Sequence, residues 1–569
     1  MRTKILLFLI FLITIGLLTV REAPARAQAL DCPGDYLPGS LLVGWRPGAS
    51  HPLASIADDL PLQQQELAPL PVSRLQVPEG QECRYLQVLR ADPSVLFAEL
   101  DYLAHADLAP SSFVGSNPGE TFFEGLDQAQ TADIPPNDPD LERQWYLEQI
   151  QAEQAWQQTT GSADILIAVI DSGIQIEHPD LQGKIWTNPG EIAGNHLDDD
   201  GNGYVNDVHG WHFYQSWNGD TYIPAQDNQV ADDFGHGTHI TGILAATADN
   251  GIGITGLSWR SQVLPIKVLD ANGVGAYSDI ALGIRYAVDN GADIINLSLG
   301  GTEPSETLKD AVDYALKKGV LVVAAAGNTG KDLLYPAALP QVIAVGASDS
   351  QDNRASFSNT GPELDLVAPG TYIYSTWYRG NYFSKSGTSM AAPLVAGVAS
   401  LVWARWPALD ATEVAAKILQ SADDVGEPGF DPATGWGRLN ANRAVLRREE
   451  AADLWLQMLV KGSSPTEGGS LEFTFGNQGM VRAQDVHLQI SAQQGAETLP
   501  LYDLAIGTLP PSDGACCFYT YPLPALLPSG ELTIRATLTG TTAEYNIRDN
   551  LASANVTQPY WQVLPLAHK

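Results

Sequence analysis

Five short apolar runs in the middle of the chain constrain its fold more than any other feature. Runs of this kind are typical of strands that are buried on both faces, as in a parallel sheet covered by helices. They occupy residues 165–170, 263–269, 294–299, 320–326 and 342–345.

Helical patterns alternate with these runs. One covers residues 280–290, where Ser278 and Asp279 offer a cap, and another covers residues 304–318. Strand and helix in alternation predict a doubly wound, mostly parallel α/β domain, which we place at residues 136–447.

Smaller modules flank this domain on both sides. Residues 30–107 begin and end with strand patterns, and we expect a small α+β module there. Residues 108–135 are rich in Ser, Gly, Pro, Asp and Gln, which predicts an exposed linker. Residues 448–558 contain alternating strands separated by Gly, Pro and Asn, which predicts an antiparallel β-sandwich, and a tail follows at 559–569.

The N-terminus has the pattern of an export signal. Arg2 and Lys4 precede an apolar run at residues 5–20, and Ala27-Gln28-Ala29 has the small-x-small pattern that signal peptidase prefers. We predict a signal peptide at residues 1–29, with an uncleaved anchor as the alternative. No later run of the sequence is long and apolar enough to span a bilayer, so we expect a secreted, extracellular chain.

Charge and cysteine content limit the function further. The formal net charge of −35 would repel nucleic-acid phosphates, so we expect no nucleic-acid partner. Cys32 and Cys83 lie before the α/β domain and can pair in an oxidising compartment, whereas Cys516 and Cys517 are adjacent, where a bridge is strained. The α/β domain contains no cysteine, which excludes a thiol nucleophile there.

Four short motifs in the α/β domain carry groups that can act together on one carbonyl carbon. Asp171 and Asn328 follow apolar runs, at the strand ends where open α/β sheets build their sites. His236 and Ser389 begin helical patterns, and a serine at a helix N-terminus has backbone N–H groups beside it that lack helical partners. The motifs are Asp171-Ser172-Gly173, His236-Gly237-Thr238-His239, Ala325-Ala326-Gly327-Asn328 and Gly387-Thr388-Ser389-Met390-Ala391-Ala392-Pro393.

These residues match the parts of a serine hydrolase. Ser389 would attack the carbonyl, and His236 would take its proton and pass it to the leaving amine. Asp171 would orient the imidazole, while the Asn328 side-chain amide and the Ser389 N–H would hold the oxyanion. Each motif alone is more often a turn or a helix cap. Their joint occurrence at the predicted element ends favours catalysis.

Three other classes of protein are alternatives. A binding or adhesion protein would use the sandwich and keep a decayed α/β scaffold, which four intact site residues disfavour. An esterase on the α/β-hydrolase fold needs Gly-x-Ser-x-Gly and the order Ser, Asp, His, and the serine here shows neither. A zinc peptidase needs His-Glu-x-x-His, which the sequence lacks.

The order Asp, His, Ser and the motifs around them resemble those of the subtilases, the subtilisin-like serine peptidases, and among them the thermitase-like members. The resemblance covers residues 137–442 and implies a serine-type endopeptidase that forms an acyl-enzyme with protein or peptide substrates. Further matching segments are Asn296-Leu297-Ser298-Leu299-Gly300, Tyr335-Pro336-Ala337 and Val367-Ala368-Pro369-Gly370.

The resemblance also implies where substrate binds. By that likeness, one strand pairs with extended substrate backbone, another segment forms a wall of the primary specificity pocket, and Leu334 lies near the floor of that pocket. The strand residues are Ser298, Leu299 and Gly300, and the wall residues are Ala325, Ala326 and Gly327.

The flanking modules acquire roles by the same resemblance. Residues 30–107 resemble an inhibitory propeptide, which assists folding and blocks the cleft until it is cleaved between His105 and Pro136. The C-terminal module resembles Ig-like or CARDB-type adhesion sandwiches from residues 475–479 onward. We expect a monomeric zymogen with no membrane span after signal removal.

An acidic loop supplies one candidate calcium site. Its oxygen side chains alternate before Gly203, as in the first half of an EF-hand loop. His209 stands where that motif has its bidentate glutamate, and an acidic loop without an ion is the alternative. The candidate ligands are Asp198, Asp200, Asn202, the Tyr204 carbonyl and Asp207, which would replace the glutamate.

The resemblance implies a structural Ca²⁺ between the N-terminal segment of the α/β domain and the loop after the histidine helix. We call this place the first candidate calcium site and the acidic loop the second. Such a site would stabilise the folded state by mass action. The matching positions are the side chains of Asp138, Asp180 and Asn250 and the carbonyls of Thr247, Ile252 and Ile254.

Overall fold

The computed structural model describes most of the N-terminal module, nearly all of the α/β domain and the strands of the C-terminal module. The described residues are 32–47, 63–106, 135–217, 222–427, 429–446, 454–461, 470–477, 482–494, 497–509, 517–522, 531–540 and 551–557. The predicted signal peptide, linker residues 108–134, Cys516 and the tail at 559–569 lie outside them.

In its described residues, the N-terminal module is an antiparallel sheet with one helix. Cys32 and Cys83 form a disulfide that ties the start of the module to this helix. Leu41, Leu75 and Leu89 are fully buried in the core between sheet and helix. The elements are β1 (Tyr36–Trp45), β2 (Gln63–Glu66), β3 (Val72–Gln76), α1 (Glu82–Ala91) and β4 (Val95–His105).

An eight-stranded sheet forms the centre of the α/β domain, and its class is as predicted. The strands are β5 (Leu166–Asp171), β6 (Trp211–Trp217), β7 (Tyr222–Asp227), β8 (Gln262–Lys267), β10 (Ile294–Leu297), β11 (Leu321–Ala325), β12 (Ile343–Ser348) and β13 (Leu366–Pro369). Their order is β13-β12-β11-β10-β5-β8-β6-β7, and every pair is parallel except β6 and β7. A short strand outside this sheet, β9 (Val274–Ala276), pairs with β4 of the N-terminal module.

Helices cover both faces of the sheet, which explains why the strands are continuously apolar. On β5, Ile167 and Val169 belong to one core, whereas Ala168 and Ile170 belong to the other. The first face carries α2 (Trp145–Gln149), α3 (Ala152–Trp156), α4 (His236–Ala245), α7 (Thr388–Arg405), α8 (Ala411–Gln420) and α9 (Ala441–Val445). The second carries α5 (Tyr277–Asp289) and α6 (Glu306–Lys317).

The start of α5 differs from the prediction. The sequence predicts a helix from residue 280 with Ser278 or Asp279 as the cap, but both residues lie inside the helix and are buried. Their partners come from elsewhere, since Asp101 on β4 accepts hydrogen bonds from the Ser278 N–H and hydroxyl at 3.1 and 2.8 Å. For α6, Ser305 is the N-cap and accepts from the Leu308 N–H.

Two antiparallel sheets make up the described part of the C-terminal module. They share a core that includes Phe473, Phe475 and Ile534. One sheet contains β16 (Leu454–Lys461), β17 (Ser470–Asn477) and β20 (Cys517–Pro522). The other contains β18 (Ala483–Gln494), β19 (Glu497–Leu509), β21 (Glu531–Thr539) and β22 (Leu551–Thr557). The assignment to an Ig-like or CARDB-like class stays a prediction.

A hairpin completes the α/β domain beside α4. It consists of β14 (Ile373–Trp377) and β15 (Asn381–Lys385), which pair antiparallel. In the part of the chain that the structure describes, no helix combines the length and the apolar character needed to cross a bilayer.

Candidate active site

The predicted acid and base meet in the interior of the α/β domain. Asp171 ends β5 and His236 begins α4, so a strand end and a helix start converge. The His236 Nδ1–H donates to the two Asp171 carboxylate oxygens at 2.8 and 2.9 Å, and both side chains are buried. The Ser172 N–H also donates to Asp171, at 2.7 Å. These bonds fix the carboxylate and leave Nε2 as the acceptor nitrogen of a neutral imidazole.

The Nε2 atom of His236 is the chemically important one. It is buried and has no hydrogen-bond partner among the described residues. A buried acceptor without a partner costs free energy, so it is seldom kept without a function. Here it indicates a nitrogen that receives a proton from a nucleophile or substrate. A general base needs an acceptor nitrogen within reach of the proton that it takes, and in this structure the Ser389 hydroxyl donates to the Ser298 carbonyl and not to Nε2.

The predicted nucleophile is at the first turn of α7. Ser389 is buried, and its Oγ lies 3.1 Å from the Ser298 carbonyl oxygen. In return, the Ser298 hydroxyl donates to the Ser389 carbonyl at 2.9 Å. A serine hydroxyl has one hydrogen that rotates between acceptors and two lone pairs. The nucleophile is therefore fixed against the strand that was predicted to hold substrate.

The predicted oxyanion donor is held in one orientation. The Thr388 N–H donates to Asn328 Oδ1 at 2.8 Å, so the opposite side of the carboxamide presents Nδ2. The Gly327 N–H donates to the Thr388 hydroxyl at 3.0 Å. Both bonds tie the segment after β11 to the start of α7, where the Ser389 N–H also lies.

The two predicted substrate-binding segments face each other across Leu334. A Cβ on Gly300 would lie 2.8 Å from the Leu334 Cβ, and a Cβ on Gly327 would lie 2.7 Å from its Cγ. Gly327 also has φ of 107°, a conformation that other residues rarely adopt. Ala325 is buried in the sheet core beside this segment. The arrangement places Leu334 between the two segments, and its place at the floor of the specificity pocket stays a prediction.

One residue of this site was missed by the sequence analysis. Asp232, four residues before His236, is partly buried and accepts from the Ser172 hydroxyl at 2.9 Å and from the Thr238 N–H at 2.9 Å. It also accepts from the Gly235 N–H at 2.7 Å. Its carboxylate thus joins the end of β5 to the start of α4, and burial raises its pKa. The signal available in the sequence was an acid just before a helix start.

The six residues of the first candidate calcium site are connected. Asp138 accepts from the Asn250 N–H at 3.2 Å, and Asp180 accepts from the Asn250 Nδ2 at 2.8 Å and from the Ile254 N–H at 2.8 Å. The Thr247 N–H donates to the Asp180 carbonyl, and the Ile252 N–H donates to Asn250 Oδ1, both at 2.8 Å.

This donor set fits a cation. Burial, together with the charge of Asp138, raises the pKa of Asp180 to about 6, and burial raises that of Asp138. Two desolvated carboxylates close together are what a bound cation would stabilise. The Asn250 amide would have to turn over, because its nitrogen rather than its oxygen faces Asp180.

The second candidate calcium site has an acidic group nearby that the sequence analysis did not name. Carboxylate oxygens of Glu191, Asp198 and Asp200 lie within 4.8 Å of one another. Asp207 is buried and accepts from the Tyr286 hydroxyl at 2.6 Å. Glu191 lies before the loop and outside EF-hand spacing, so the sequence pattern did not indicate it, and the role of Asp207 as a ligand stays a prediction.

The other two candidate ligands belong to Asn202, which is exposed, and to Tyr204, which is partly buried. Asn202 donates through Nδ2 to Asp200 at 3.2 Å and to Asp207 at 3.1 Å. The Tyr204 ring packs edge-on against Tyr286, with centroids 4.8 Å apart.

Comparisons with known proteins agree with this geometry. The model of the subtilase family matches residues 162–437. Thermitase from Thermoactinomyces vulgaris is 41% identical over 314 residues, which cover 54% of this chain and 99% of thermitase. A thermophilic serine proteinase from Bacillus sp. (strain AK1) is 37% identical over 361 residues, or 63% of this chain and 75% of that protein. Subtilisin E from Bacillus subtilis (strain 168) is 36% identical over 362 residues, or 63% of this chain and 77% of subtilisin E.

The family model spans the sheet and the helices that carry Asp171, His236 and Ser389, and thermitase is matched over almost its whole length. The chain therefore belongs to the subtilase family of serine endopeptidases.

Proposed function

We propose that this chain is a secreted serine endopeptidase that is made as a propeptide-inhibited zymogen, is stabilised by calcium and acts as a monomer on proteins or peptides. The observation that carries the catalytic part is the buried Asp171–His236 pair at 2.8 Å, with the other imidazole nitrogen left without a partner among the described residues. A charge-assisted bond of this kind holds the base in one tautomer.

The reaction follows from the positions of four residues. Ser389 Oγ attacks the scissile carbonyl while His236 Nε2 takes its proton, and Asp171 stabilises the imidazolium that forms. Asn328 Nδ2 and the Ser389 N–H stabilise the oxyanion. His236 then gives the proton to the departing amine, which leaves an acyl-enzyme on Ser389. Water, deprotonated by His236, hydrolyses this ester and restores the hydroxyl.

The proposed substrate strand supports the zymogen part. The His105 N–H donates to the Gly300 carbonyl at 2.9 Å, and the Gly300 N–H donates to the His105 carbonyl at 3.1 Å. Extended substrate cannot pair with Gly300 while the chain's own β4 does so. Cleavage between His105 and Pro136 would release this strand, which is why we propose residues 30–107 as the inhibitory propeptide, 108–135 as linker and 136–447 as the catalytic domain.

The remaining parts of the proposal rest on the charged groups and the sequence. Calcium would be held by Asp138, Asp180, Asn250 and carbonyls of the adjoining loop, and a second ion by Asp198 and Asp200 with Glu191. These ions would supply positive charge that ties chain segments together. Secretion rests on the predicted signal peptide at residues 1–29, and the role of the sandwich at 448–558 stays that of an accessory module.

A fluorophosphonate probe tests the catalytic proposal. We expect the probe to label the processed chain and not to label Ser389→Ala. The processed chain should hydrolyse a denatured protein before it is labelled and should lose this activity once it is labelled. Absence of both labelling and hydrolysis in a processed, folded chain would instead support a non-catalytic binding protein. N-terminal sequencing of the active form would locate the propeptide cleavage.

A further inference from the structure

The β14–β15 hairpin lies against the start of the helix that carries the catalytic base. The His239 Nε2–H donates to the Phe383 carbonyl at 3.0 Å, and the rings of His239 and Trp377 meet edge-on with centroids 6.0 Å apart. A Cβ on Gly235, the residue before His236, would lie 2.6 Å from the Trp377 ring. The hairpin therefore forms the wall of the cleft on the side of the base.

This wall faces the amine half of the substrate, which leaves when the acyl-enzyme forms. His105, which precedes the proposed propeptide cleavage, pairs with Gly300 through bonds of 2.9 and 3.1 Å, so the acyl half of a substrate lies toward Ser298 and Gly300. The departing amine must approach His236 Nε2 to receive its proton. Residues on the amine side of the scissile bond therefore extend past His236 toward Trp377 and Phe383.

Lys385 brings a positive charge to this wall. Its Nζ lies 4.5 Å from the centroid of the Trp377 ring and 4.9 Å from that of Phe383, in an arrangement typical of cation–π contacts. The side chain is partly buried, and burial lowers its pKa. It lies only four residues before Ser389.

This ammonium has no carboxylate partner among the described residues. In the same set, Lys267 pairs with Asp233 and Lys309 pairs with Asp313, both at 2.6 Å. Residues 377–385 contain Arg379 and no acid, although the chain as a whole has a net charge of −35. A partly desolvated cation beside the cleft gains most from a counter-charge that arrives with the substrate.

We propose that Lys385 selects substrates with a carboxylate side chain in the first or second residue after the scissile bond. The inference rests on the proposed function, because it assigns a specificity to the same cleft. Trp377 and Phe383 hold the ammonium in place, and their faces contact the stem of an incoming Glu side chain. No carboxylate of the described protein has to be displaced when that side chain binds.

Internally quenched peptides test the proposal. They share one acyl half and carry Glu, Gln or Lys at the first position after the scissile bond, and a second series varies the second position. For the processed wild-type chain we expect kcat/KM to fall in the order Glu, Gln, Lys in at least one series. We expect a Glu-to-Gln ratio of about fivefold, which corresponds to about 1 kcal/mol. Mass spectrometry confirms that each peptide is cut at the same bond.

Variants of Lys385 supply the controls. Lys385→Gln and Lys385→Met should bring the Glu-to-Gln ratio to about one, and Lys385→Arg should retain a preference for Glu. Lys317→Gln, on an exposed position of α6, should keep the wild-type ratio.

Two results would overturn the inference: equal kcat/KM for Glu and Gln peptides with the wild-type chain, or an undiminished ratio when either neutral variant is used. The wild-type ratio decides the matter if a variant does not mature. Failure to cut any peptide would contradict the proposed function itself, so the two failures are distinguishable.

Discussion

Asn328 illustrates how one side chain is prepared for a reaction by the backbone around it. Its Oδ1 is held by the Thr388 N–H at 2.8 Å, and Thr388 is itself held by the Gly327 N–H. Because the amide cannot turn over without breaking a buried bond, Nδ2 is positioned before substrate arrives. A preorganised donor stabilises developing negative charge without reorganisation during the reaction.

The first prediction concerns this donor. Asn328→Ala should lower kcat by roughly 10²- to 10³-fold with a small effect on KM, because the lost bond forms mainly in the transition state. Steady-state kinetics on one peptide substrate measure this. Asn353→Ala, at an exposed turn, serves as the control and should retain wild-type kcat. An effect on KM alone would assign Asn328 to substrate binding and not to oxyanion stabilisation.

Asp232 acts at the same scale but through other residues. It accepts from Ser172, which follows Asp171, and from Thr238, which lies two residues after His236. The carboxylate thus connects the two elements whose ends supply the acid and the base. We regard it as a positioning residue.

At the scale of elements, the strands were the most predictable part of the chain. All five apolar runs overlap strands of the central sheet, because burial on both faces requires apolar residues without interruption. The catalytic residues were predictable for a related reason, since strand ends and helix starts are visible in the sequence. Asp171 and His236 are examples.

Contacts between distant segments were not predictable in this way. The start of α5 was placed too late because Asp101, 177 residues from Ser278, supplies the partner that a local cap would have supplied. Glu191 was missed because its position beside Asp198 depends on the folded loop. The local sequence pattern contains no information about partners that are distant along the chain and meet only in the folded protein.

The first candidate calcium site joins two elements and leads to the second prediction. In the Ser389→Ala background, which prevents autolysis, a chelator should lower the melting temperature because bound calcium stabilises only the folded state. At a calcium concentration of about 1,000 times Kd this term is about 4 kcal/mol. Calorimetry with and without chelator measures the difference.

Variants at single positions identify which of the two proposed calcium sites raises the melting temperature. Asp180→Asn should remove most of the calcium-dependent part of the melting temperature, because it removes the charge of one proposed calcium ligand. The carboxylate of this ligand also accepts a hydrogen bond from Asn250. Asp332→Asn, at an exposed position, should leave that part unchanged. A melting temperature that is insensitive to chelator in the parent chain would contradict both proposed calcium sites.

At the scale of the whole molecule, the N-terminal module completes the catalytic domain at two helix starts. Glu99 on β4 accepts from the Ser305 hydroxyl and the Thr307 N–H at 2.8 and 2.9 Å, and from the Glu306 N–H at 2.8 Å. Asp101 on β4 likewise accepts hydrogen bonds from Ser278 in the first turn of α5. Carboxylates at helix N-termini satisfy N–H groups that otherwise lack partners and interact favourably with the helix dipole. Removal of the module therefore exposes two helix ends, which is consistent with a role in folding.

The contact around Asp101 contains more negative than positive charge. Arg74 Nε lies 3.9 Å from Asp101, and Gln215 connects the same region to Asp279 by a 2.6 Å bond. Two buried carboxyl groups thus share one guanidinium. Burial, followed by repulsion from Asp101, raises the pKa of Asp279 to about 7, and burial also raises the pKa of Asp101.

The third prediction is the pH dependence that this contact imposes on the full chain carrying Ser389→Ala. The pKa of Asp279 is higher in the folded state than the value near 3.9 expected for an unfolded chain. Its protonated form therefore favours the folded state, and that stability is lost as the pH rises from about 4 to about 7. Asp279→Asn keeps the acceptor for Gln215 without the charge, so it should raise the melting temperature above that of the parent at pH 8 but not at pH 4.

Calorimetry at fixed calcium and several pH values measures the difference in melting temperature between Asp279→Asn and its parent. The difference should grow between about pH 4 and pH 7 and then level off, because Asp279 is ionised in both states above its folded pKa. Asp289→Asn, at the exposed end of the same helix, serves as the control for removing one carboxylate from α5. A difference in melting temperature that does not change with pH would mean that Asp279 is ionised in the folded full chain. Another group would then have to neutralise its charge beside Asp101 on β4.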